Sequence, residues 1–246
     1  MINKTIDINA DVGEGIGNES QLMPYLSSCN IACGGHAGDF DIMKEVTKLA
    51  LENGVKIGAH PSFPDKTNFG RQAMDITRLD LYNSIKNQIE DLIKVLNKED
   101  ALLHHIKPHG ALYNFAAVDE NIANIIIEVI KSIGLPLKLY VPYKSVIADL
   151  AIKENIQIIY EAFADRNYNN DLTLVSRAES NAVITDSKLV FAHVFYMVST
   201  QKIKTIQNTK VDIKADTFCI HGDNPKALEA IKYLNEKLML NGYKIK

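Results

Sequence analysis

The sequence predicts an α/β fold, a single-domain distorted β/α barrel of seven main strands over residues 1–246. Three observations lead there. Short β-rich runs alternate with longer amphipathic segments from one end of the chain to the other, the rhythm of parallel strands under an outer layer of helices. Acidic, basic and imidazole residues recur just beyond the predicted strand ends: Asp11 and Glu14, His36, His60, Lys107 and His109, Asp165 and Arg166, His221 and Asp223. A closed parallel barrel brings such ends to one mouth, whereas an open doubly wound sheet gathers them mainly at one switch crevice. Finally, 246 residues without an internal repeat or low-complexity linker lie near the upper limit for one domain.

Strands are expected over 5–10, 28–33, 55–60, 101–107, 137–141, 157–163 and 216–221, where Ile, Val, Leu, Phe and Tyr cluster between polar, Gly or Pro punctuation. After Asp39, the stripe Ile42, Met43, Val46, Leu49 and Ala50 predicts a helix that Gly54 ends. A longer helix over 77–97 buries Ile85, Ile89, Leu92 and Leu96. Beyond Asp119 the stripe is Ile122, Ile126, Ile130 and Ile133, closed by Gly134 and Pro136. In the last helix Asn224 is placed to cap, Pro225 to fit the first turn, and Leu228, Ile231, Leu234 and Leu238 to face inward. Residues 171–213 break the rhythm. They predict short strands at Leu174–Val175 and Ala182–Ile184, a helix from Asp186 through Phe195 and Met197, and a hairpin or lid from Thr205 to Val211.

Composition narrows the function classes. With 46% hydrophobic and 23% charged residues the chain is ordinary globular protein. A net charge of -3 with no basic block argues against a phosphate-backbone partner. No apolar run reaches membrane-spanning length. The segment from Met1 into Thr5–Asn9 lacks a secretory pattern. Cys29, Cys33 and Cys219 read as reduced, buried thiols, so a cytoplasmic location is expected.

The chemistry-bearing segments follow the strands. Asp7, Asn9 and Asp11 share one face of the first strand, and an inward carboxylate at Asp7 would need a partner or a cation. In Asn30–Asp39, Gly34 and Gly35 allow close backbone approach to a ligand, but the Walker pattern is missing. His60 precedes Pro61, and Gly70-Arg71 offers a cationic anchor. In His104–Tyr113, alternation puts His105 and Lys107 on one face and His104 and Ile106 on the other. His109 can relay protons, and Lys107 can neutralise a carboxylate or developing negative charge. Asp165-Arg166 reads either as a surface ion pair or, with Arg177, as a carboxylate-binding element. Cys219–Asp223 adds the pair His221 and Asp223.

At Asp7–Gly15, Asn30–Asp39, Ile57–Pro61, Lys107–Asn114, Phe163–Tyr168, Leu174–Arg177 and Cys219–Pro225 the chain resembles the LamB/YcsF family, the A subunits of 5-oxoprolinase. The resemblance implies a barrel similar to the glycoside hydrolase/deacetylase group. It also implies ATP-dependent opening of 5-oxoproline (pyroglutamate) to L-glutamate, with ATP as cosubstrate alongside Mg2+, in a complex with subunits B and C; a homo-oligomer is open. On that reading Asp11, Lys107, His109 and Asp165 are the catalytic candidates. Glu14, His36, His60, Arg71, Arg166, Arg177, His221 and Asp223 are the substrate-binding ones. Two rivals stand beside it: a metal-dependent amidohydrolase or carbohydrate deacetylase, using Asp7 or Asp11 with His60 and His109, and a non-catalytic protein that only binds the substrate within the complex. The chain departs from the family pattern at Asn170-Asp171-Leu172-Thr173, where an Asp-Gly usually precedes the Leu-Val segment, near Asn181, and at Ser62.

Overall fold

The computed structural model describes residues 4–245. In chain order its strands are β1 (Lys4–Val12), β2 (Ser28–Ala32), β3 (Lys56–His60), β4 (Leu103–Ile106), β5 (Lys138–Pro142), β6 (Gln157–Phe163), β7 (Lys202–Lys204), β8 (Lys210–Asp212), β9 (Thr217–His221) and β10 (Tyr243–Ile245). Its α-helices are α1 (Glu19–Leu22), α2 (Phe40–Glu52), α3 (Arg78–Lys98), α4 (Gly110–Ala116), α5 (Glu120–Ile133), α6 (Val146–Lys153), α7 (Ser187–Thr200) and α8 (Ala227–Leu240).

Strands β1 to β6 and β9 form a closed ring of seven parallel strands. β1 carries the closure: it pairs with β2 on one side and with β9 on the other, from Asp7↔Thr217 to Asp11↔His221. β10 extends the same edge, Lys4 facing Tyr243. The segment after β6 departs from the barrel rhythm. Leu174 and Val183 form only isolated bridges, with Tyr168 and Arg166, in place of the two predicted short strands. β7 and β8 make the expected hairpin.

Helix starts follow local chemistry. The Asp39, Thr77, Asp119 and Asp186 side chains each accept backbone N–H groups of their first turns, satisfying donors that a helix otherwise leaves open. Gly134 closes α5 in the left-handed conformation at φ +71°. The last helix corrects the sequence expectation. It begins at Ala227 after Lys226; Asn224 Oδ1 still accepts the Lys226 N–H at 3.1 Å, as a cap would, while its amide donates to Asp165 and the Ile184 carbonyl.

Strand alternation sorts side chains into two layers. Ile8, Ala10, Cys29, Ile31, Ala59, Ile106, Leu139, Ala162, Phe218 and Ile220 are buried in the apolar core. The other face of these strands fills the barrel with polar groups. Asn9 donates to Glu161 and Thr217, and Asn30 donates to Asn9 and Asp11. Tyr140 donates to Ser28, and its ring stacks on His105. Gly58 leaves room for that imidazole, since a Cβ there would overlap His105 Nε2. His104 breaks the expected alternation: its Nδ1 lies 3.0 Å from His105 Nδ1. The cause is a register shift between β3 and β4 at Ile57/Gly58, which turns two neighbouring side chains to the same side.

Candidate active site

A cavity of about 280 Å3 opens at the C-terminal ends of the barrel strands. That volume suits a small polar molecule. Its floor is Lys107, 1% exposed. The ammonium lies 2.9 Å from Asp11 Oδ1, 3.0 Å from Glu161 Oε1 and 3.1 Å from Cys219 Sγ. Burial alone would push this amine down, but the Asp11 and Glu161 carboxylates outweigh it and hold its pKa well above the usual lysine value. Burial likewise opposes ionisation of Asp11, yet the Lys107 ammonium beside it holds its carboxyl well below the ordinary range. Cys219 stays a thiol, its pKa raised by burial and by Asp11. The floor is thus a buried cluster of two acidic side chains and a thiol around one ammonium, and all three cysteines are free and buried.

One wall carries imidazoles from successive strand ends. Glu14 Oε1 lies 2.9 Å from His36 Nε2 and 3.2 Å from His109 Nδ1. His60 Nε2 lies 2.9 Å from His109 Nδ1 and 3.3 Å from Asp11 Oδ2. Both His109 nitrogens are engaged, Nε2 by the Phe69 carbonyl at 2.9 Å. Burial pushes His109 down to about 4 despite Glu14, so the ring is neutral at pH 7. Glu14, His36, His60 and His109 each offer an atom within 4.8 Å of the others, a geometry that could hold a metal ion.

The opposite wall pairs an imidazole with a carboxylate. His221 Nδ1 donates to Asp165 Oδ1 at 2.8 Å, and the ring stacks against Phe163. Asp165 is fully buried and also accepts from the His221 backbone and Asn224. Burial would raise its pKa, but His221 and Asn224 bring it below the usual value. This is the arrangement in which a carboxylate fixes an imidazole and leaves its other nitrogen for proton transfer.

At the rim, Arg71 Nη2 and Arg177 Nη1 meet Asp223 Oδ2 at 2.6 and 3.1 Å. Arg166 serves a different purpose. Its guanidinium donates to the Ala182 and Val175 carbonyls at 3.1 and 2.6 Å, fastening the loop that covers this side. Burial and Arg177 lower it to about 10. The sequence reading of Asp165-Arg166 as a surface ion pair fails, because both are buried and each faces other partners.

The barrel therefore gathers Asp11, Glu14, His60, Arg71, Lys107, His109, Arg166, Arg177 and His221 around one cavity, with His36, Asp165 and Asp223 directly behind. It does not bring Asp7 there. Asp7 binds Ser28, Thr217 and Lys56 deeper in the barrel, four residues or about 13 Å from Asp11 along the strand, so it cannot share an ion with His60 and His109. The sequence reading also missed Glu161, Asn9 and Asn30. Glu161 sits in a β-rich run, and its shared face with Phe163 was the available signal. Its Oε2 and the Tyr113 hydroxyl are buried without hydrogen-bond partners among the described residues, and both residues line a neighbouring cavity of about 260 Å3.

Among known proteins, the LamB/YcsF family model matches residues 6–246. The chain is 41% identical over 245 residues to the A subunit of 5-oxoprolinase from Pyrococcus horikoshii, spanning 98% of this chain and 96% of that one. It is 42% identical over 242 residues to the corresponding 5-oxoprolinase protein of Haemophilus influenzae strain PittEE, spanning 98% and 99%. A lactam utilization protein from Thermus thermophilus, known from its crystal structure, superposes with a TM-score of 0.91 at 34% identity, covering 98% of this chain and 99% of that one. A family 4 carbohydrate esterase from Streptomyces lividans, at 9% identity and a TM-score of 0.53 over 99% of this chain and 92% of its own, shares the fold alone.

Proposed function

This chain belongs to the LamB/YcsF family, and we propose that it is the A subunit of a 5-oxoprolinase that opens 5-oxoproline to L-glutamate with hydrolysis of ATP. The observation that carries this reading is identity of about two residues in five, over nearly the whole of both chains, to proteins named as the A subunits of 5-oxoprolinases. The small charged cavity supports it, since 5-oxoproline is a compact lactam bearing one carboxylate.

An unstrained lactam resists water because its carbonyl is resonance-stabilised. Transfer of the ATP γ-phosphate to the lactam oxygen makes the ring carbon electrophilic. Addition of water and expulsion of the ring nitrogen as the amine then leave an acyl phosphate, and a second water releases phosphate and glutamate. On this reading His221, held by Asp165, takes the proton of the attacking water. Lys107 stabilises negative charge developing on the carbonyl oxygen, and Asp11 holds Lys107 in place. Arg177 and Arg71, already drawn to a carboxylate at Asp223, hold the substrate carboxylate. ATP acts as cosubstrate with Mg2+, presented to the cavity in a complex with subunits B and C.

Glutamate and ADP are to be measured from 5-oxoproline plus ATP, with this chain alone and with candidate subunits B and C. ATP-coupled glutamate that requires the partners supports the reading, and its loss in His221→Asn with assembly intact supports a catalytic role for this chain. No glutamate from a verified complex sinks the substrate assignment.

A further inference from the structure

Two imidazole groups in this barrel obey opposite hydrogen-bond logic. In the pair deeper in the barrel, His104 and His105, every ring nitrogen has a complementary partner. Lys138 Nζ donates to His104 Nε2 at 3.1 Å, His104 Nδ1–H donates to His105 Nδ1 at 3.0 Å, and His105 Nε2–H donates to Asn30 Oδ1 at 2.7 Å. Neutral tautomers satisfy that chain throughout.

At the mouth they cannot. His60 Nδ1 is 2.7 Å from the Lys107 carbonyl, and His109 Nε2 is 2.9 Å from the Phe69 carbonyl. A carbonyl only accepts, so each neutral ring spends its hydrogen outward. His60 Nε2 and His109 Nδ1 are then bare lone pairs, yet they lie 2.9 Å apart. Glu14 Oε1, a third acceptor, is 3.2 Å from His109 Nδ1 and 3.9 Å from His60 Nε2. His36 stacks flat on His109 with ring centroids 3.6 Å apart, and its Nδ1 is buried without a hydrogen-bond partner among the described residues. Electron-rich atoms converge here with too few hydrogens between them.

A shared proton would relieve one pair, whereas a metal ion engages the whole set. The outward bonds favour the ion, because an imidazole that gives its second N–H to a backbone carbonyl is oriented for metal binding. The spacing agrees. Four ligands around a tetrahedral ion at 2.0–2.1 Å stand about 3.3 Å from one another, and the four separations His60–His109, His36–Glu14, His109–Glu14 and His60–Glu14 are 2.9, 2.9, 3.2 and 3.9 Å; the His36 ring, parallel to His109, must tilt to bring its lone pair onto the same ion.

We propose that Glu14, His36, His60 and His109 form a binding site for one divalent transition-metal ion of the zinc class. Three imidazoles and one carboxylate suit Zn2+ or Co2+ rather than Mg2+, which prefers oxygen ligands. Glu14, His60 and His109 border the cavity, so a bound ion there would supply Lewis-acid polarisation to an oxygen entering it. The site does not depend on which substrate the cavity takes.

The chain is to be stripped with a chelator, dialysed against Zn2+ and analysed for metal. The expected result is one ion per chain, a higher thermal midpoint with Zn2+, and Co2+ visible bands of a four- or five-coordinate site. Glu14→Gln and His36→Gln, each verified as folded by far-UV circular dichroism, should weaken Zn2+ binding by at least about tenfold. His104→Gln, at the satisfied group, should leave it unchanged. If the variants do not fold, the parent's stoichiometry and Co2+ spectrum decide. A folded parent that retains no ion, or equal affinity in the parent and both mouth variants, overturns the proposal and leaves the shared proton in its place.

Discussion

Lys107→Met keeps the bulk of a side chain that is 1% exposed and removes the ammonium that lies 2.9 Å from Asp11 and 3.0 Å from Glu161. Removing one partner of a buried ion pair costs roughly 3–5 kcal/mol, because the remaining charge is stranded. Here two carboxylates are stranded together, but one can take up a proton instead. Holding a proton on an aspartic acid of ordinary pKa ~3.9 at pH 7.5 costs about 5 kcal/mol, which caps the loss. With a urea slope of about 3 kcal/mol/M, the midpoint should fall by about 1–1.7 M. Glu161→Gln retains the Asp11–Lys107 pair and should cost about 1–2 kcal/mol. The double variant restores the parent's net charge in the cluster, so its loss should be smaller than the sum by about 1–3 kcal/mol. The dependence on pH fixes the sign. In Lys107→Met the carboxyl pKa is raised above its unfolded value, so the variant recovers stability as pH falls. In the parent Asp11 is held well below its usual value, and its contribution, present above the unfolded pKa, is lost as pH falls. Urea midpoints of the two proteins should therefore converge between about pH 8 and about pH 5. Parallel curves, or additive losses in the double variant, would refute the charged-cluster account.

Three further outcomes follow from the same structure. Leu172, in the loop between β6 and α7, stands at φ +68°. Leu172→Gly should therefore be more stable than Leu172→Ala by about 1 kcal/mol, the reverse of the usual order, and calorimetry finding alanine equal or better would remove the strain argument. Gly58→Ala, whose Cβ would overlap His105 Nε2, should displace that ring from Asn30 and cost about 1–3 kcal/mol in urea unfolding; an unchanged midpoint would show that the ring has room to move. Burial pushes His104 and His193 each down to about 4, so the unfolded chain takes up protons first. Stability should be unaffected by these rings above about pH 6.5 and fall toward about pH 4, by about 2 kcal/mol at pH 5 for His193. His193→Gln should flatten the fall in thermal midpoint between about pH 7 and about pH 5, and an unaltered slope would count against the assignment.

Much of the fold was legible because its signals are local. The seven barrel strands lie within a few residues of the β-rich runs, and Asp39, Asp119 and Asp186 cap the helices they precede. Legibility failed where one residue had two possible partners. Asn224 Oδ1 does accept the Lys226 N–H ahead of the last helix, but its amide also holds Asp165, remote in sequence, which no local pattern declares. His104 follows alternation only if the register is regular, and the shift at Ile57/Gly58 belongs to a pair of strands rather than to either one. Alternation placed Asp7 and Asp11 on one face correctly, but a shared face does not give depth: one reaches the cavity and the other does not. Glu161 was missed because an isolated acid in an apolar strand declares its role only when Lys107 is brought against it.

The seam at β1 has a consequence for how such a chain is made. β2 is available to one edge of β1 as soon as Ser28–Ala32 has been synthesised, but β9, which fills the other, begins at Thr217. Until then a nascent chain with β1 to β6 in place presents open edges at both β1 and β6, and unpaired edges recruit other chains. Its concave face, however, carries Asn9, Asp11, Lys107 and Glu161 rather than the aliphatic lining of many barrels. Those groups hold water until their partners arrive, so the half-built sheet resists collapsing on itself or on a neighbour. Arrival of β9 shuts the edges and dries the charges in one late event, joining the two ends of the ring by contacts more than 200 residues apart in sequence.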